Sequence, residues 1–304
     1  MYKFLTKLEL FHPKLWPAWV GFGLLRIIAF LPFQSLMMLG KIIGFLIKNI
    51  AKRRVNIARI NLKKCFPKYE DGQIERLLND HFYSIGMGVM DFIISWWWSN
   101  RRIDKYLEIE GEENIYQALK FGKGVIFYSA HFTSLEISCR IPKKITEMSA
   151  MYRPNENLVI QKIMTKNREK FLEKAIPREN VRMMLKFLKE NKVVWFAPDQ
   201  NYGLKNSIFA NFFDVPAATN LSTSRFAEIT GAKVVPFVVL RKKKDGYKMI
   251  IEPSLDNFPS IDPKYDANRL NKIIENWVLL APEQYNWMHR RFKDRPKNEK
   301  SFYS

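Results

Sequence analysis

From Trp16 to Ile50 the chain is mostly apolar, and Arg26, Lys41 and Lys48 are its only charged residues. Pro32, in the string AFLPFQ, interrupts this stretch and predicts a kink or break between two helical arms, 16–31 and 33–50. Each arm is shorter than the ~20 residues of an ideal transmembrane span. No small-residue cleavage site follows, so a removed signal peptide is not expected. Three readings stand: one kinked membrane anchor, a pair of amphipathic helices lying in the interface, or a buried helical layer of a soluble protein. Beyond it, residues 56–110 read as helical. Asp71-Gly72 opens a run with Ile74, Leu77, Leu78, Phe82, Ile85, Met87 and Val89 at roughly helical spacing. That run ends in Trp96-Trp97-Trp98, three large rings that cannot all face one core.

After residue 110 the pattern alternates. Apolar runs of strand length fall at 124–129, 148–152, 193–197, 208–213, 234–240 and 247–251. Helix-like stretches fall at 112–120, 155–172, 178–190, 219–230 and 265–280, and Gly231 is placed to end one of them. Strands alternating with helices predict an α/β fold with a mainly parallel central sheet flanked by helices. The expected division is an N-terminal helical, membrane-anchoring or interfacial segment, 1–55, and an α/β domain, 56–304, with a polar tail over 293–304.

Charge adds a requirement. Among 304 residues, 50 Lys and Arg oppose 30 Asp and Glu, a formal charge of +20, which implies an anionic partner. Composition alone leaves nucleic acid, an anionic membrane and acidic substrates open. Residues 1–55 hold nine basic side chains (Lys3, Lys7, Lys14, Arg26, Lys41, Lys48, Lys52, Arg53, Arg54) against one acid, Glu9. They flank both sides of the apolar stretch, so the positive-inside rule assigns no clear orientation. The 47% hydrophobic content and eight Trp exclude a disordered basic tail. Two cysteines, Cys65 and Cys139, exclude a disulfide framework.

Four stretches have the composition of a chemical site. The first, Ser129-Ala130-His131-Phe132-Thr133-Ser134-Leu135-Glu136, follows an apolar run, where α/β proteins place their sites. Residues five apart do not face each other on one continuous helix. With His131 in the turn before a helix and Glu136 in its first turn, the carboxylate can hold one imidazole nitrogen and leave the other to take a proton. The rival reading is a structural histidine, with Thr133-x-x-Glu136 a capping box. The second, Tyr152-Arg153-Pro154-Asn155, holds Arg153 extended before a proline, ready for a phosphate or carboxylate, or else is a turn with a surface charge. The third is Trp195-Phe196-Ala197-Pro198-Asp199, where Asp199 either holds a cation of the site or caps local backbone. The fourth, from Pro282 to Pro296, carries His289, Arg290 and Arg291. It suits a phosphorylated ligand or anionic lipid, or is a solvated face.

Other chemistry lacks its signals. No phosphate-binding glycine motif and no G-x-S-x-G elbow occurs. The four histidines are scattered without ligand spacing, so neither a metal nor any other cofactor is expected. No nucleic-acid recognition signature is present.

In order, these motifs resemble the late acyltransferases of bacterial lipid A biosynthesis, the lauroyl/myristoyl family of H-x4-E type. The matching residues are His131-x4-Glu136, Tyr152-Arg153-Pro154-Asn155, Val194 to Asp199, Val235-Pro236-Phe237, Pro282 to Tyr285 and His289 to Phe292, with Asn61-Leu62 and Cys65-Phe66-Pro67 upstream. They span nearly the whole chain. Glycerolipid acyltransferases share the architecture but typically carry H-x4-D. The resemblance implies an acyl carrier protein thioester as donor, laurate or myristate as the chain, and a Kdo-bearing, phosphorylated lipid A precursor as acceptor, at the cytoplasmic face of the inner membrane. It implies His131 as general base and Glu136 as the carboxylate orienting it. Arg153 is the candidate for the charge on the thioester oxygen or for an acceptor phosphate. Asn155 and Arg168 are implied as further substrate contacts, Asp199 as a supporting residue, and Arg290 and Arg291 as ligands for phosphates or Kdo carboxylates. The apolar helices and Trp96–Trp98 are candidates for an acyl channel. An acyltransferase for another glycerophospholipid or glycolipid remains an alternative, as does a non-catalytic membrane-bound nucleic-acid or lipid-binding protein.

Overall fold

In the computed structural model the described residues are Pro13 and 16–303. Lys3, Lys7, Glu9 and Lys14, counted in the N-terminal charge, lie outside them. The break expected at Pro32 is present: helix α1 (Trp16–Ile28) ends before it and α2 (Phe33–Ile50) begins after it. Helices α3 (Lys52–Cys65), α4 (Asp71–Trp97) and α5 (Asn100–Asp104) follow, so the boundary at residue 55 falls inside α3. A capping box between Glu70 and Gln73 starts α4. The expected helical stretch 56–110 needs one correction, since it ends in strand β1 (Leu107–Glu110).

The remaining order is α6 (Glu112–Lys120), β2 (Val125–Tyr128), α7 (Leu135–Arg140), β3 (Met148–Tyr152), α8 (Leu158–Arg168), β4 (Ala175–Pro177), α9 (Val181–Lys189), β5 (Val193–Phe196), β6 (Ser207–Phe212), β7 (Val215–Asn220), α10 (Ser222–Thr230), β8 (Lys233–Arg241), β9 (Tyr247–Ile251) and α11 (Pro263–Leu280). The helix expected over 219–230 gives up its start to β7. Gly231, in the left-handed conformation at φ 72°, ends α10 as expected.

Seven strands form one sheet in the order β1-β9-β8-β2-β5-β3-β4, and β6 and β7 form a separate antiparallel hairpin. Every neighbouring pair in the large sheet is parallel except β8 with β9. The mainly parallel α/β sheet is therefore present. All four residues of β2 are buried, because helices cover both faces. Ile126 and Tyr128 pack into the core shared with Leu62, Phe82 and Trp277. Val125 and Phe127 pack into the one shared with Phe33, Leu36, Met90 and Ile94.

That second core takes in α2. Its small residues Gly40 and Gly44 meet Gly86 of α4 so closely that a Cβ on Gly86 would drive into the Gly40 carbonyl oxygen. Small-residue contacts of this kind let two helix backbones approach. The opposite face of α2 exposes Met38, Ile42, Phe45, Leu46 and Ile50, and α1 exposes Val20, Leu24 and Ile27. Among the described residues α2 is the one helix long and apolar enough to cross a membrane, and 28% of it is buried inside the protein.

Candidate active site

The site forms where β2, β5 and β3 end, at the carboxyl edge of the parallel sheet. Tyr128 of β2 is paired with Phe196 of β5. His131 and Asp199 each lie three residues beyond that pair, so the register itself brings them together across 68 positions of sequence. The loop carrying His131 is then stapled from the far side. Its carbonyl accepts from the Asn286 N–H at 2.9 Å, and the Thr133 N–H donates to the Gln284 carbonyl at 2.7 Å. The Thr133 hydroxyl is 2.6 Å from that of Ser84 and also accepts from the Arg241 guanidinium. Arg241 is itself paired with Asp91, buried in α4.

His131 Nδ1 lies 2.6 Å from Asp199 Oδ1, and the His131 backbone N–H donates to Oδ2 at 3.1 Å. A carboxylate can only accept, so Nδ1 carries the proton, and in the neutral ring Nε2 is left with its lone pair. Asp199 is almost wholly buried and is held on its other side by the Tyr285 hydroxyl at 3.2 Å. The His131 side chain stays 23% exposed. Burial disfavours the imidazolium, but the Asp199 carboxylate outweighs it and raises the His131 pKa above its ordinary value. Burial likewise pushes Asp199 up, and His131 outweighs it, leaving Asp199 below the usual carboxylate range.

The orienting carboxylate expected in Glu136 is therefore Asp199. Glu136 is the second residue of α7, and there its side chain turns between α4 and α8. Its Oε1 accepts from Trp96 Nε1 at 2.7 Å, and its Oε2 meets Arg168 Nη2 at 2.7 Å, with Arg168 Nε 3.2 Å from both oxygens. Burial works against the Arg168 charge, and Glu136 more than offsets it, so the Arg168 pKa is raised. The capping box is also absent: Ser134 is the N-cap, with its hydroxyl on the Val239 carbonyl, while Thr133 is engaged by Ser84 and Arg241.

A cavity of about 450 Å³ opens beside His131, within the ~300–1,000 Å³ usual for ligand sites. Arg153, Arg168 and Arg178 give it positive lining, Met164, Leu172 and Trp195 apolar lining. Arg153 stands on its rim, exposed, 3.8 Å from Glu156. Three expected contacts fall elsewhere. Asn155 is exposed outside the cavity, where its Oδ1 accepts from the Asn157 N–H at 2.8 Å and shapes the turn into α8. Arg290 lies 5.8 Å from the Tyr303 ring and does not line the cavity. Arg291 is buried, donating to the Ala218 carbonyl at 2.7 Å, Thr219 Oγ1 at 3.1 Å and Asn271 Oδ1 at 3.2 Å. Both its terminal nitrogens are taken up in tying the β6–β7 hairpin to α11, which removes it from ligand binding. The tryptophans divide: Trp96 holds Glu136, Trp98 Nε1 donates to the Ala29 carbonyl at 2.9 Å, and Trp97 is half-buried. None of the three lines this cavity.

Asp91, Arg241 and Ser84 belong to none of the four sequence motifs, and Tyr285 and His289 lie within the 282–296 stretch without a spacing that gives either a role. The signal for the first group was a charged residue inside an apolar run, Asp91 in α4 and Arg241 ending β8.

Comparison with known proteins gives one answer. Residues 2–294 match the family of bacterial lipid A biosynthesis acyltransferases. The lipid A biosynthesis palmitoleoyltransferase of Escherichia coli K12 is 38% identical over 97% of both chains. The lauroyltransferase of the same organism is 36% identical over 97% of both. Its myristoyltransferase is 26% identical over 95% of this chain and 90% of its own. Among solved structures, the 1-acyl-sn-glycerophosphate (LPA) acyltransferase of Thermotoga maritima aligns with 81% of this chain and 97% of its own at 12% identity and a TM-score of 0.39, too slight a likeness to carry an argument.

Proposed function

This chain belongs to the bacterial lipid A biosynthesis acyltransferases, and from that premise we propose how it works: His131, held by Asp199, is the general base that activates the acceptor hydroxyl. The observation that carries the reading is the 2.6 Å contact from Nδ1 to a buried carboxylate, with Nε2 left unprotonated beside a cavity. The donor is a lauroyl or myristoyl thioester of acyl carrier protein. The acceptor is a Kdo-bearing, phosphorylated lipid A precursor, and the nucleophile is a secondary hydroxyl on one of its 3-hydroxyacyl chains.

Nε2 of His131 takes the hydroxyl proton as the oxygen attacks the thioester carbonyl. The C–S bond then breaks, and the imidazolium returns its proton to the departing thiolate. Asp199 stabilises the imidazolium and fixes its tautomer, and such base catalysis contributes ~10²–10⁴-fold. Of the three cations lining the cavity, Arg153 and Arg178, which are not tied to Glu136, suit phosphate and carboxylate groups of the acceptor. Glu136 and Arg168 form the wall behind them. The exposed apolar residues of α1 and α2 support a position against the inner membrane, and the reading sets the protein on its cytoplasmic side, where lipid acceptor and soluble carrier protein would meet. An acidic carrier protein also suits the charge of +20.

The test is incubation of the protein with carrier-protein thioesters and the precursor, followed by mass spectrometry of the lipid. Wild type is expected to add one acyl chain, and His131→Ala, folded by circular dichroism, to add none. Full activity of His131→Ala would overturn the mechanism. A chain added to glycerophospholipid and not to the precursor would overturn the acceptor.

A further inference from the structure

The base explains how the nucleophile is made, but a thioester attacked by an oxygen also develops negative charge on its carbonyl oxygen. A hydrogen-bond donor pointed there is typically a large part of acyl-transfer catalysis. Arg153 was the sequence candidate, yet it is exposed on the rim, where water screens it and Glu156 lies 3.8 Å away. The cavity holds a better-placed group. His289 lines the same cavity as His131. Its Nε2 accepts the Asn201 backbone N–H at 3.0 Å. A backbone N–H is only ever a donor, so Nε2 carries the lone pair and the proton of the neutral ring sits on Nδ1. The backbone thus assigns the tautomer.

Among the described residues Nδ1 has no protein partner, and it is not closed off in the interior, where an unpaired ring nitrogen such as His81 Nε2 is. The Asn201 N–H holds the ring, and the His289 carbonyl, accepting from Asn61 Nδ2 at 2.8 Å and the Arg291 N–H at 2.9 Å, anchors the backbone beneath it. Asn201 is two residues past Asp199, so one short turn positions both the partner of the base and the partner of the donor. We propose that His289 is the neutral hydrogen-bond donor to the reacting carbonyl, its Nδ1–H holding the thioester oxygen as negative charge develops there. The inference rests on the reading of His131 as base and of a thioester as donor.

The step balances without further groups. The acceptor proton passes to His131 Nε2 and the new C–O bond forms. The carbonyl electron pair moves to its oxygen, which His289 hydrogen-bonds without giving up its proton. The pair returns as the C–S bond breaks, and His131 protonates the thiolate. Burial, with further lowering from His131, Arg291 and Arg54 against the raising effect of Asp199, brings the His289 pKa down to about 4, so the ring stays neutral across the pH range of catalysis. A neutral donor is what the step needs, since an imidazolium would lose the Asn201 contact.

Two readouts separate a catalytic donor from a ring that only braces the Asn201 turn. The first is infrared spectroscopy of carbonyl-labelled lauroyl acyl carrier protein bound to His131→Ala, which binds but does not turn over. A carbonyl stretch lowered on binding, with the lowering lost in His131→Ala/His289→Phe, is the expected result. An unchanged shift in the double variant overturns the proposal. The second is kinetic: His289→Phe in the wild-type background is expected to lower kcat ~10²–10³-fold with little change in the KM for the thioester. A rise in KM at unchanged kcat overturns it. Should the Phe variant fail to fold, His289→Gln serves, because its amide can accept from Asn201 and still donate. It is expected to keep more kcat than His289→Asn, whose shorter amide cannot reach both partners, and equal loss in the two counts against the donor. Absence of acyl transfer by wild type would remove the functional reading and this inference together. Transfer by wild type with an unaffected His289→Phe would remove this inference alone.

Discussion

His131 and Glu136 lie five residues apart and each is held by an ionisable partner, yet the two pairs differ in what they leave open. The His131–Asp199 pair leaves one ring nitrogen unprotonated at a cavity, and its histidine is 23% exposed. The Glu136–Arg168 pair is closed: the carboxylate is 1% exposed, both its oxygens are occupied, and Arg168 covers it from α8. A pair that must exchange a proton needs one partner with a pKa within reach of neutrality and one open site. A pair that holds α4, α7 and α8 together needs neither. Two residues that read as one dyad are thus members of two pairs, one assigned to chemistry by the proposed mechanism and the other to architecture.

The sharpest way to break this comparison is to remove one charge from each pair while keeping its shape. Asp199→Asn keeps the volume but allows the amide to favour the wrong His131 tautomer. It is expected to lower kcat on the order of 10³–10⁴-fold, the scale of the equivalent change in hydrolytic triads. Because Asn can still accept from the His131 N–H and the Tyr285 hydroxyl, the melting temperature should fall little. Steady-state kinetics beside calorimetry measures both. Wild-type kcat in Asp199→Asn would show that the contact to Asp199 is structural after all.

Glu136→Gln strikes the other pair. It leaves the Arg168 guanidinium buried without its carboxylate, and breaking a buried pair from one side costs about 3–5 kcal/mol. Thermal unfolding should show the loss directly. Activity per folded molecule should fall less than in Asp199→Asn, because Arg168 lines the cavity but touches no part of the base. A Glu136→Gln protein with wild-type stability and no activity would reverse the assignment and return Glu136 to the chemistry.

Why Asp199 was not legible as the partner of His131 follows from where the information lies. The order of long elements could be read from periodicity, because strands buried on both faces, such as VIFY and VVWF, are continuous apolar runs. Strand β4 has three residues and β7 contains Pro216 and small residues, so neither carries a period. His131 was legible because it follows β2 directly. Its partner depends on β5 lying beside β2 with Tyr128 opposite Phe196, although five elements, α7, β3, α8, β4 and α9, intervene along the chain. No local spacing encodes that register. Arg291 escapes the motif pattern for a related reason: a cation in a basic run looks free for a ligand until the Ala218 carbonyl and Thr219 hydroxyl, more than 70 positions away, are in place.

The smallest effect is also the most discriminating, because it follows the pH dependence of the two pairs. His131 is raised above the ordinary 6.5 by Asp199, and the base must be unprotonated to act. The rate should therefore fall as pH drops through a value above 6.5. A raised histidine stabilises the fold most fully below its unfolded value, and that contribution is lost as pH rises through the folded value. Activity is thus gained across the window in which this increment of stability disappears. Asp199 runs the other way: it is lowered below 3.8, so its contribution is present above that value and lost only as pH falls through the folded one. Asp199→Asn removes the charge that raises His131, so the acidic limb of the residual kcat/KM profile should move to lower pH. Each unit of displacement corresponds to about 1.4 kcal/mol of lost pairing. Glu136→Gln should leave that limb where it is, since Glu136 is engaged with Arg168 and Trp96 and no contact joins it to His131 among the described residues. Equal displacement in the two variants would mean that both carboxylates act on the same imidazole, and the division between the pairs would fall.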